Sequence, residues 1–167
     1  MTITELLLAE LEREAPATRR TLQRVPEGRG DWRPHPKSMS LGRLSQLVAG
    51  MPSWITMMLH QDELDVNPVG GKPPEPTYAT NAELVAAFDA ALDAGRAALR
   101  ATTDEYLLTT WTLKSAGHVI SEQQRHIAIS DGVLNHLAHH RGQLTVYLRL
   151  TDASVPSVYG PSADEMM

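Results

Sequence analysis

Asn135-His136-Leu137-Ala138-His139-His140-Arg141-Gly142-Gln143-Leu144, running on to Leu150, is the stretch from which fold and function of this 167-residue chain are first read. Leu137, Leu144 and Leu148 recur at the spacing of an amphipathic helix, with His136, His139 and His140 among them. At about 100° per residue, His136 and His140 lie roughly 40° apart and one turn along the axis, so both imidazoles reach one point and can share a metal ion. His139 projects about 60° to the other side and reads as a flanking or surface residue. Gln143 and Tyr147 continue the stripe of the pair, where packing and hydrogen bonding explain them better than catalysis. Arg141 reads as a surface or tail-pairing cation.

The rest of the chain reads as scaffold for this helix. Thr2-Ile3-Thr4-Glu5 forms a capping box for a first helix to about Gln23, with Pro16 marking a kink or break. Asp31 to Pro36 reads as an extended connection pinned by Trp32. Ser38 or Ser40 caps a second helix through Leu44, Leu47, Val48, Met51, Trp54, Ile55 and Met58, with a bend expected at Pro52. Trp54 and Met58 are expected in the core, or at the mouth of an apolar pocket. Gln61 to Ala79, rich in Pro and Gly, reads as a long surface crossover. Thr80-Asn81-Ala82-Glu83 opens a third helix to about Ala101. Thr109 to Leu113 favours extended backbone and Gly117 a turn, so a short strand or hairpin-like excursion precedes the last helix. The expected fold is therefore all-α: one domain spanning residues 1–167, an antiparallel four-helix bundle.

Composition narrows the function. A formal net charge of -5 excludes a general electrostatic grip on nucleic acid or an anionic membrane. With no cysteine, a metal would rest on nitrogen and oxygen ligands, and a thiol reactant would come from outside the chain. No stretch is long and apolar enough to span a bilayer, and the N-terminal residues lack signal-peptide features, so a cytoplasmic protein is expected.

The last-helix stretch, followed by Tyr147-Leu148-Arg149, Val155-Pro156 and Tyr159-Gly160-Pro161, resembles the last helix and tail of the DinB/YfiT-like family. Trp32-Arg33-Pro34 and Ser40-Leu41-Gly42-Arg43-Leu44 resemble its first loop and second-helix entry. The resemblance implies an up-down-down-up bundle, often a homodimer, holding a divalent metal of the zinc or nickel type by three histidines. It also implies transferase or isomerase chemistry with a small thiol. Two of the ligands map onto His136 and His140, but the third maps onto Leu47, which cannot ligate. His126 is the preferred replacement, ahead of His60, Glu122 and Asp164; His60 lies about 220° round the helix from Leu47. Two functions follow from this pattern. One is a metal-dependent transferase or isomerase with His136, His140 and His126 as ligands. The other is a non-catalytic, dimeric or small-ligand-binding bundle in which Leu47 completes the core.

Overall fold

The structure, a computed structural model, describes residues 1–71, 78 and 80–166. Its helices are α1 (Ile3–Leu22), α2 (Leu41–Gly50), α3 (Ser53–His60), α4 (Asn81–Ala101), α5 (Asp104–Leu107), α6 (Arg125–Ile129) and α7 (His136–Leu150). A π-helical turn, Ser130–Asn135, joins α6 to α7. Its strands are β1 (Glu63–Asp65), β2 (Thr110–Ser115) and β3 (His118–Gln124).

The helix boundaries follow local chemistry. Thr2 and Glu5 close a capping box on α1, and Thr80 and Glu83 close another on α4. Pro16 leaves α1 unbroken, because Leu11, Ala15, Thr18 and Leu22 are buried on both sides of it and tertiary packing outweighs the missing backbone bond. Pro52 acts more strongly, ending α2 and starting α3. At that break α4 comes unusually close, since a Cβ built on Gly95 would lie 2.8 Å from the Pro52 carbonyl oxygen. Helices α1 and α2 each pack on α4 and α7, and α3 packs on α4 and α6. Leu11, Leu44, Phe88 and Leu144, all fully buried, lie in the core these helices share.

The all-α expectation is wrong, because the chain also builds a three-stranded mixed sheet in the order β1-β2-β3. The expected extended excursion is the antiparallel β2–β3 pair, turned by Ala116 and Gly117, both at positive φ (49° and 78°). A bulge opposite the Leu113/Lys114 step leaves Ile120 unpaired and adds local twist. The third strand, β1, comes from the segment read as a surface loop and pairs with β2 in parallel. Parallel partners need a long connection, and the chain between β1 and β2, which includes α4 and α5, supplies it. The proposed crossover falls partly on residues 72–77 and 79, outside the described residues.

One buried cation fastens the sheet to the helices. Arg125, 1% exposed, donates to the carbonyls of Met58 and Gln61 at the end of α3 and pairs with Asp62. Its Nε donates to Thr109 Oγ1 (3.0 Å), and its guanidinium stacks 4.3 Å from the Tyr106 ring centre. The strands are thereby held over the face formed by α3 and α6.

Candidate ligand cavity and histidine pair

The face so covered borders an apolar cavity, partly open to solvent, of about 650 Å³, within the roughly 300–1,000 Å³ of small-molecule sites. Leu47, Trp54 and Met57 from α2 and α3 form one wall. Ala128, Gly132 and His136, from the helical run after β3, form another. The roof is the inner face of the sheet. Leu64, Leu113 and Ser121 are paired across the three strands in one row, and Trp111 and Gln123 in the next. Side chains alternate across a strand, so residues two apart on β2 and β3 share this face.

His136 stands at the cavity wall, its ring 5.9 Å from that of Trp54. His140 lies behind it, buried, and the two Nε2 atoms meet at 2.8 Å. Gln143 fixes the protons. Its Oε1 can only accept, so His140 donates from Nδ1 to it at 2.7 Å, and the free Nε2 of His140 accepts from His136 Nε2–H. The Gln143 amide nitrogen then donates to His139 Nε2 at 3.0 Å. Burial pushes the His140 imidazole below the ordinary histidine range, aided by the neighbouring His136 and His139 and opposed by the Gln143 bond.

Helix α7 holds this orientation through the residue after His140. Arg141 is not a surface cation: it is 1% exposed and pairs with buried Glu14 of α1 at 2.7 Å. It also donates to Thr18 Oγ1 and to the Tyr159 hydroxyl, which itself donates to Glu14 at 2.6 Å. The expected pairing with the tail is present, but it closes over a buried ion pair. Burial raises the Glu14 pKa, yet the hydrogen bonds from Tyr159 and Arg141 outweigh it and leave the carboxyl below its ordinary range. Tyr147 packs edge-on against Trp32 at 5.5 Å and donates to the Met39 carbonyl, the packing role expected of both aromatics.

The other candidate ligands are placed elsewhere. His126 lies ten residues before His136 in one helical run, roughly 15 Å along the axis, and its ring meets Gln124. His60 is exposed at the end of α3, and Glu122 is exposed on β3. Asp164 is engaged by Arg149 and the Val155 amide. Among the described residues, no group of three or more His, Asp or Glu is arranged to hold an ion. The residues that sequence reasoning missed are those of the roof. Their signal was the period-two spacing of Trp111 with Leu113 and of Ser121 with Gln123.

The DinB family model matches residues 1–167. The chain belongs to the DinB family. A crystal structure of a DinB-like protein from Bacillus cereus ATCC 10987 superposes with a TM-score of 0.71 at 22% identity, covering 93% of this chain and 97% of that one. A DinB-like protein, YjoA, from Bacillus subtilis gives 0.68 at 16% identity, covering 92% and 97%. At these identities the likeness is one of fold. Uncharacterized protein YrdA of Bacillus subtilis (strain 168) is 36% identical over 62 residues, 35% of this chain, and the match spans 37% of that protein's length.

A three-histidine metal centre of the DinB-like type does not fit the residues present. Leu47 lines the same cavity as His136, so the position that would face the pair carries a hydrocarbon. Two imidazoles, their Nε2 atoms 2.8 Å apart, are the donor set that remains. No helix among the described residues is long and apolar enough to cross a membrane.

Proposed function

We propose that this DinB-family chain binds a small, mainly apolar ligand in the cavity between its sheet and helices, without a three-histidine metal centre. The observation that carries this is Leu47 in the cavity wall beside His136. A leucine there removes a donor and adds apolar surface, which favours burial of a hydrocarbon or aromatic body. His136, tethered through Nε2 to His140, is a polar anchor at one end of that body.

A second reading is a divalent-metal-dependent transferase or isomerase acting on a small thiol. It is favoured by the Gln143 contact, which takes the His140 proton on Nδ1 and leaves Nε2 unprotonated and turned to His136, as an outer-shell partner does for a metal ligand. When bound, an ion would activate a water or thiol as a nucleophile. His136 and His140 would hold it, with the remaining positions filled from outside the chain.

Elemental analysis of protein purified without chelator or metal-affinity tag separates the two. The binding reading expects metal well below one equivalent in the parent and a gain of zinc or nickel affinity in Leu47→His. Near-stoichiometric metal in the parent, lost in His136→Ala, would overturn it in favour of the metalloenzyme.

A further inference from the structure

The cavity is apolar, but its roof is not uniformly so. Ser121 and Gln123, two apart on β3, are half-buried cavity-lining residues whose side chains have no hydrogen-bond partner among the described residues. They sit in the rows that also contain Leu113 and Trp111. A hydroxyl and a carboxamide that line the cavity with no protein partner are open positions for hydrogen bonding, by water or by a ligand that displaces it.

The charged residues at the cavity are already engaged. Asp65 accepts hydrogen bonds from the backbone N–H groups of Asn67 (2.9 Å), just past β1, and of Ala116 (3.0 Å) and Gly117 (2.7 Å), which bind its carboxylate to the β2–β3 turn. Arg43, at the rim on α2, has an interaction partner of its own. An ion entering the cavity would meet only these two charges, one of each sign and each already engaged, and so would give up hydration for at most a shared counter-charge, whereas a neutral ligand gives up less.

From this we infer that the cavity selects uncharged apolar molecules, aromatic ones in particular, that carry one hydrogen-bonding group for Ser121 and Gln123. Trp54, Trp111 and Met57 supply faces for an aromatic body. The inference rests on the cavity being the ligand site, and it adds the ligand's charge and the residues that read it.

A matched set of probes tests it on the full-length protein: N-phenylnaphthylamine, its sulfonate, its trimethylammonium derivative, and phenylnaphthalene, which lacks the N–H group. Probe fluorescence excited through tryptophan reports binding near Trp54 and Trp111, and phenylnaphthalene is read by displacement. The neutral amine is expected to bind at least about tenfold more tightly than either ion. Ser121→Ala with Gln123→Leu should weaken the amine about fivefold and leave phenylnaphthalene unchanged or tighter. Leu113→Trp, which fills the cavity from the roof, should abolish binding in protein of native circular dichroism.

An ion binding as tightly as the amine overturns the selection for neutral ligands. Equal losses for amine and hydrocarbon in the double variant overturn the role of Ser121 and Gln123. Failure of every probe to bind, or binding undiminished by Leu113→Trp, instead removes the reading of the cavity as the ligand site.

Discussion

Arg141→Met should be among the most damaging single substitutions outside the apolar core. Arg141 and Glu14 have side-chain exposures of 1% and 6%, so the pair is desolvated on both sides. With the guanidinium gone, the Glu14 carboxylate keeps the Tyr159 hydroxyl and a 3.4 Å contact from Arg13, but loses its buried counter-charge. Removing one partner of such a pair costs about 3–5 kcal/mol, against a total stability of about 5–15 kcal/mol. At a urea dependence of about 2 kcal/mol per molar, the unfolding midpoint should fall by about 2 M. Glu14→Leu combined with Arg141→Met should be less damaging than Arg141→Met alone, because no unpaired charge remains. The Glu14 pKa is depressed in the folded state, so its contribution is present above the unfolded carboxylate pKa and lost as pH falls through the folded one. The gap between parent and Arg141→Met should therefore narrow on acidification below about pH 4. A loss of about 1 kcal/mol or less for Arg141→Met, or a double variant as unstable as the two singles summed, would refute the claim that this pair fixes α7 on α1.

Two further perturbations address the helices and the roof. Gly95→Ala gains about 1 kcal/mol of helix propensity but places its Cβ 2.8 Å from the Pro52 carbonyl, so a net loss of about 1 kcal/mol is expected by denaturant unfolding. Gly142→Ala, on the exposed side of α7 with nothing within 4 Å of its Cβ, should gain about as much. The Asp65 pKa is held down chiefly by the backbone N–H of Gly117 and then that of Asn67, with Ala116 adding to the effect. Its contribution is thus lost as pH falls through its depressed pKa, and amide exchange at Gly117, corrected for intrinsic rates, should lose protection there and in Asp65→Ala, while Ala116 keeps its second bond to the Asn67 carbonyl.

What could be read from the chain was what local chemistry decides. Thr80 and Glu83 announce α4 because both halves of a capping box lie within one turn. The phase of α7 is legible because His136 and His140 fall on one stripe and Leu137, Leu144 and Leu148 on the next. Strand β1 was not legible, since Glu63, Leu64 and Asp65 become a strand only by pairing with Thr112, Leu113 and Lys114, far along the chain. Arg141 looked like a surface cation for the same reason: its counter-charge is on α1, and nothing near it in sequence predicts burial. The histidine pair was found because a helix makes its spacing local. Leu47 was assigned the third position only through resemblance, and the roof residues Ser121 and Gln123 required the sheet.

Leu47 alters more than the count of donors. A divalent ion at His136 and His140 would place two positive charges beside a wall of Leu47, Trp54 and Met57. The carboxylate of Asp65, at the same cavity, is turned to the backbone N–H groups of Asn67 and of the β2–β3 turn. Charge in such surroundings is stabilised only by close, dedicated partners. The leucine, the mostly apolar walls and the neutral hydrogen-bonding groups of the roof all lower the cavity's demand for charge. Their agreement is what a site adapted to an uncharged ligand requires, and it is why substituting histidine at Leu47 should confer affinity for a metal ion at that one point without making the rest of the cavity a good host for ions.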